Sequence, residues 1–200
     1  NKVGIMVDIS HVSDSTFYQV MELAKAPCIA SHSSCRKFVP GFERNMDDDM
    51  IKLLGKNNGV ICINFGSTFL DGKLRKKQDE DREKLSGILT EKGLEASDSL
   101  AEPIIEQFKK DNPRLFSDVE MVANHIDHVV KLAGIDHVGL GSDFDGVGDS
   151  LPVGLKDVSQ FPNLVKVLLQ RGYSEEDIAK ICYQNVFRVW SEVEKVAASM

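Results

Sequence analysis

The chain has 200 residues, 42% of them hydrophobic and 28% charged, with 24 Lys and Arg against 31 Asp and Glu for a formal net charge of −7. That length supports a sizeable core and the composition is that of an ordinary soluble globular protein. The acidic surplus argues against a nucleic-acid partner, because no basic excess is left to neutralise phosphates, and no apolar run reaches the roughly 18 residues of a membrane span.

The first predicted element is a strand, VGIMVDI at 3–9, nearly continuous in apolar residues as a strand covered on both faces should be. Phe17, Val20, Met21 and Ala24 then share one helical face, with Ser13 or Asp14 as N-cap. CIAS at 28–31 is the second strand. DDDMIKLLGKN follows as a helix that places Met50, Ile51 and Leu54 on one side and Asp47 to Asp49 at its positive start. GVICINF at 59–65 is the third strand. Residues 71–117 break the rhythm: a dense run of charge beginning DGKLRKKQDEDREK leads into LAEPIIEQFKKDNPRLF, and we read it as a mainly helical surface excursion. A solvated cover explains it, and a lid or dimer contact is the sharper alternative. A helix over 118–133, with Val119, Val122, Ile126, Val129 and Ala133 on one face, stops at Gly134. HVGLGS at 137–142 is the fourth strand, and FPNLVKVLLQRG and SEEDIAKICYQNVFRVWSEVEKVA close the chain as helices, the latter opening on a capping box of Ser174 and Asp177. The alternation βαβαβαβα predicts an α/β fold with a parallel sheet, one domain over 1–200.

Polar residues gather at the C-terminal ends of these strands. His11 follows the first strand, His32 the second, 21 residues on; Asn64 ends the third; Asp143 follows the fourth, in GLGSDFDG. In a parallel sheet those ends share one side of the molecule, the side where α/β barrels and open sheets place their active sites. Two imidazoles and a carboxylate there suit a zinc and acid–base cluster; hydrogen-bonded structural histidines are the alternative. Arg44, in PGFERNMDDD, lies on the same side and can grip a carboxylate through two parallel hydrogen bonds, or pair with Glu43 or Asp47 to Asp49. His125 and His128 are read as surface residues of the 118–133 helix, and His137 as lying at the opposite end of the sheet. Cys28, Cys35, Cys62 and Cys182 have no CxxC spacing and are read as reduced, buried thiols rather than a disulfide framework.

Taken together, VDISHVS, APCIASHSS, ERN, GVICINF, DHVVKLAGIDHVGLGSDFDGV and LKDVSQFPNLVKVLLQRGYSEEDIAKICYQNVFRVW resemble the zinc-dependent membrane (renal) dipeptidases over nearly the whole chain except 71–117. The resemblance implies a metal-dependent-hydrolase (β/α)8 TIM-like barrel, of which these four βα units would be the C-terminal half. It implies hydrolysis of dipeptides with a free C-terminal carboxylate, using two zinc ions. His11 and His32 would hold one zinc, Arg44 would bind the dipeptide carboxylate, and Asp143 would handle the proton of the attacking water and contact substrate. The one His-x-Asp here, His125 to Asp127, falls inside the predicted 118–133 helix, so the family's strand-end His-x-Asp, bridging glutamate and further histidine are not found in these 200 residues. We therefore expect the remaining ligands N-terminal to this chain, a missing N-terminal half as its partner, and no dipeptidase activity from the chain alone; the dimer-contact alternative for 71–117 would add a homodimer partner. The initial Asn1 suggests a chain that began earlier, so localisation is not readable. Another barrel hydrolase acting on cyclic amides or phosphoesters is the competing enzyme. A flavodoxin-like binding module, or a metal-free α/β interaction domain, is the competing class; no glycine-rich phosphate loop follows any strand.

Overall fold

The computed structural model describes residues 1–200. Helix α1 (Asp14–Leu23) is capped by Ser13, whose side chain accepts from the Thr16 N–H, and buries Phe17. Strand β1 (Ile29–Ser33) follows, then α2 (Asp48–Lys56), capped by Asp47 and burying Met50, Ile51 and Leu54. Strand β2 (Val60–Asn64) is buried at every position. The short α3 (Ser67–Leu70) turns into the charged α4 (Gly72–Glu91), and α5 (Glu102–Asp111) completes the helical content of 71–117. Then come α6 (Val119–Ala133), ended by Gly134 at φ +100°, and β3 (Val138–Ser142). Helix α7 (Phe161–Gln170) precedes α8 (Glu175–Ala179), which carries the Ser174–Asp177 capping box, and a π-helical turn over Lys180–Gln184 joins α8 to α9 (Asn185–Ala198).

The sheet is parallel in the order β1-β2-β3. Strand order follows chain order with no reversal, unlike a doubly wound sheet, which reverses at a switch point. The two faces are covered differently. On one, Ala30, Ile61, Ile63 and Val138 join one large core with Phe17, Met50, Ile51, Leu54, Val122, Ile126, Val129, Leu164 and Leu168 from α1, α2, α6 and α7. On the other, Ile29, Val60 and Cys62 meet Val189 of α9. Since Ile29 and Val60 begin their strands, α9 covers the N-terminal part of that face.

Three expectations need correction. Residues 3–9 form no strand of their own. Their pairing is confined to the Asp8–Ile29 bridge, with Ile9 N–H donating to Ile29 O (2.8 Å) and Ile29 N–H to Val7 O (3.0 Å). Gly4 at φ +72° breaks the extended run before it can lengthen, and Val3 and Ile5 are exposed. Among the cysteines, all free, Cys28, Cys35 and Cys62 are buried as expected, and Cys182 is exposed instead. Burial pushes the Cys28 thiol up to about 11 and Cys62 to about 12, which keeps both as unreactive thiols.

His125 and His128 are buried, not at the surface. The turn after β1 lies across α6, with the Phe38 ring 4.4 Å from His125 and 5.7 Å from His128 between centroids. The His128 Nε2 sits 2.7 Å from Asp48. His125 Nδ1 accepts from the Cys35 N–H (3.0 Å), so its Nε2 carries the proton and donates to Leu70 O (3.0 Å). Protonating it would set an N–H against an N–H. Burial, opposed by that bond to Leu70, lowers its pKa from 6.5 to about 4. The unfolded imidazole takes a proton near pH 6.5 while the folded one refuses it until about pH 4. Stability is therefore whole above that range and falls as pH drops from 6.5 toward 4, by up to about 3 kcal/mol. Urea unfolding at a series of pH values checks this: a His125→Gln variant should lose that part of the slope, and an identical slope would contradict it.

Candidate active site

The strands end irregularly at one place. Ala30 pairs with Ile61 and Ser33 with Ile63, so Ser31 and His32 together face the single Cys62. One strand over, Ile63 pairs with Leu140 and Asn64 with Ser142, leaving Gly141 as the extra residue. Both are bulges, which bend a strand and re-aim its side chains. One carries His32 and the other immediately precedes Asp143. Gly141 is obligatory, since an added Cβ would lie 2.5 Å from Ser31 O and 2.7 Å from Cys62 O. Four residues other than glycine have positive φ: His11 (65°), Asn58 (62°), Ser142 (39°) and Asp143 (64°). Three of them are at this rim, where strained backbone marks a position held for its side chain.

The four residues singled out from sequence meet there. The Nε2 atoms of His11 and His32 are 2.9 Å apart. Two imidazoles sharing one tetrahedral zinc, with Zn–N near 2.0–2.1 Å, hold their nitrogens roughly 3.3 Å apart, so a small opening of the pair accommodates the ion. Within this chain no group of three or more His, Cys, Asp or Glu comes together around a metal position. Partial burial and the charges of Arg44 and His32 push His11 below the usual imidazole value, against the pull of Asp143 and Asp8.

Arg44 donates from one terminal nitrogen to Ser33 Oγ (2.7 Å) and from the other to His32 O (2.8 Å), with Phe69 stacked 5.7 Å from the guanidinium carbon. It makes no ion pair with Glu43 or Asp47 to Asp49. Arg36 takes that role instead, gripping Asp14 with both terminal nitrogens and reaching Asp47. Arg44 is thus bolted to the segment that carries His32, and its buried Nε has no partner. Asp143 accepts from Asn64 Nδ2 (2.7 Å), and Asn64 Oδ1 accepts from Gly66 N–H (2.7 Å), which fixes the amide so that its NH2 faces the carboxylate. Gly146 is needed beside it: a Cβ there would fall 2.1 Å from Asp143 Oδ1. His137 lies at the other end of β3, bonded to Gly59 O.

Two contributors were not anticipated from sequence, Asp8 and Ser31. Asp8 Oδ1 accepts from the N–H groups of Ser10 and Ser31, and Oδ2 from Ser31 Oγ. Burial works to raise its pKa, and these bonds outweigh it, holding the carboxyl below the usual range. An acid inside the apolar run VGIMVDI was the available signal, because a buried carboxylate requires partners. A cavity of about 560 Å3 lies apart from these groups, between α4, α5 and the 112–115 and 149–150 segments, lined by Lys77, Asp81, Arg82, Lys109 and Arg114 among others. The start of α4 nevertheless reaches the rim, with Arg75 stacked 3.7 Å over Phe42 in the Arg44 loop.

All 200 residues match the membrane dipeptidase family (peptidase family M19). The chain belongs to that family. It is 38% identical over its whole length to the dipeptidase tcpJ of Claviceps purpurea and 34% identical to an uncharacterised dipeptidase of Schizosaccharomyces pombe, covering 37% and 38% of those proteins. The chain therefore spans about two fifths of the length of the curated relatives it matches. Among solved structures, 96% of it superposes on 51% of a probable dipeptidase, PvdM, from Pseudomonas aeruginosa, with TM-score 0.75 and 31% identity. It also matches 43% of a metallo peptidase from Rhodobacter sphaeroides liganded with a phosphinate mimic of L-Ala-D-Ala, with TM-score 0.70 and 27% identity. The three parallel strands and their helices are accordingly part of a TIM-like barrel, and the doubly wound, flavodoxin-like alternative is set aside. Membership of a metallopeptidase family brings a metal cofactor with it. No helix is long and apolar enough to cross a membrane.

Proposed function

We propose that the protein to which this chain belongs is a zinc-dependent dipeptidase acting on dipeptides with a free C-terminal carboxylate. The observation that carries this reading is the convergence of the His11 and His32 Nε2 atoms beside Arg44 and Asp143 at the bulged ends of parallel strands. His11 and His32 hold one of two zinc ions, and the other donors come from outside these 200 residues, so the chain is one part of the catalytic barrel and is inactive alone. Bound zinc supplies a Lewis acid and brings the pKa of a water ligand toward neutrality. Asp143, oriented by Asn64, accepts the proton of the attacking water and passes it to the leaving amine. Arg44, held rigid by Ser33 and His32 O, directs its remaining N–H groups to the substrate carboxylate and so restricts the site to short peptides. We read 71–117 as an excursion whose start, at Arg75 and Phe42, borders the Arg44 side of the site.

The complete protein should contain zinc and hydrolyse a simple dipeptide. Arg44→Ala should raise KM, or lower kcat/KM by about 10- to 100-fold, the scale of losing a charge-assisted bond of 1.5–3 kcal/mol, with zinc content unchanged. Steady-state kinetics on a dipeptide and on its C-terminal amide settle the role: the variant should lose its discrimination between them. Discrimination kept at the parental ratio would remove Arg44 from substrate binding and favour the cyclic-amide or phosphoester alternative.

A further inference from the structure

An imidazole binds a metal through a bare ring nitrogen, and in neutral histidine that requires the proton to sit on the other one. His32 Nδ1 lies 2.7 Å from Ser31 Oγ, and Ser31 Oγ lies 2.5 Å from Asp8 Oδ2. A hydroxyl has one hydrogen. An ionised Asp8 can only accept, so Ser31 directs that hydrogen to Oδ2. The Ser31 oxygen is then left as an acceptor toward the ring, Nδ1 carries the proton, and Nε2 is bare. That bare nitrogen is the one 2.9 Å from His11 Nε2. Asp8 is held in its own pose by the backbone, since Oδ1 accepts from Ser10 N–H (2.9 Å) and Ser31 N–H (3.1 Å), which leaves Oδ2 for the hydroxyl.

We propose that Asp8 is a positioning residue that acts through Ser31 to fix His32 in the Nδ1-protonated tautomer, with Nε2 presented to the metal. The proposal rests on the zinc reading above. It makes a directional prediction that a purely structural role does not. In Asp8→Asn the two backbone N–H groups hold the amide oxygen, so the NH2 turns to Ser31 and donates to it. Ser31 then donates its hydrogen to His32 Nδ1, the ring proton moves to Nε2, and the metal position is blocked. The substitution reverses the relay instead of only breaking it. Ser31→Ala by contrast removes the bond to Nδ1 and leaves the tautomer free.

The test is a zinc competition titration against a chromophoric chelator on the complete protein, with thermal melts confirming that each variant folds. The zinc in question is the equivalent that His32→Ala removes. Asp8→Asn should weaken it by about 10- to 100-fold, the usual scale for a partner one bond behind a ligand, and Ser31→Ala by less. Adding Ser31→Ala to Asp8→Asn should restore part of the lost affinity, because it deletes the reversed donor. Parental affinity in Asp8→Asn overturns the relay, as does a double variant weaker than Asp8→Asn alone. Should Asp8→Asn not fold, Ser31→Ala carries the test, and unchanged zinc affinity there overturns it. A parent protein with no zinc that His32→Ala removes would instead defeat the zinc reading itself, whatever Asp8 does.

Discussion

Changing Asp143 to asparagine is expected to lower kcat for dipeptide hydrolysis by about 10²- to 10⁴-fold, the range for losing a positioned general base and acid, while zinc content and melting temperature stay near the parent's. Asparagine isolates the chemistry for two reasons. It is among the few residues that tolerate the left-handed backbone, so the φ of +64° at this position is kept. Its amide oxygen can also replace Oδ2 as the acceptor for Asn64 Nδ2. What it cannot do is take a proton. Alanine at the same position would add backbone strain of about 1–2 kcal/mol and strand the Asn64 amide, confusing stability with catalysis. A kcat close to the parent's in Asp143→Asn, with zinc bound, would remove Asp143 from the proton-transfer role.

His32→Ala and His11→Ala should each cost the protein one equivalent of zinc and reduce kcat/KM by several orders of magnitude, because water without a Lewis acid stays far from its ionisation at neutral pH. Atomic absorption on the purified protein and a thermal melt read the loss without reference to activity. Since metal binds the folded state, a chelator should lower the parent's melting temperature, and should lower that of either variant by less. The two substitutions should not be additive, because each leaves one imidazole facing an incomplete donor set. Full zinc occupancy in both variants would show that the 2.9 Å approach of the two rings is a hydrogen bond and nothing more.

Much of this was legible in one dimension. Of the four near-continuous apolar runs, three are strands, and β1, β2 and β3 begin and end within two residues of CIAS, GVICINF and HVGLGS. Asp47, Ser174 and Gly134 act at helix ends as their chemistry foretold. Placement at strand ends brought His11, His32 and Asp143 forward, since parallel topology sends every C-terminal end to one side; Arg44 came from the loop after the second strand, and the role of each came only from the family resemblance. The run VGIMVDI shows the limit of that logic. Its composition is that of a strand, yet a strand exists only where a neighbour supplies a ladder, and here only Ile29 does so.

The histidines draw the same line. Helical periodicity placed His125 and His128 off the apolar face of their helix, but could not see the turn after β1 and the start of α2 closing over them. Burial belongs to the neighbours a residue acquires, and those come from other parts of the chain. Likewise the sequence by itself put His11, His32 and Asp143 at the rim, because residue type and position along a strand are local properties. Only the tertiary structure decided where they point. Two bulges, an arginine bonded to the backbone of the very segment it serves, and an Asp8–Ser31–His32 chain spanning 23 residues between acid and hydroxyl all depend on contacts between segments remote in sequence, which no local pattern encodes.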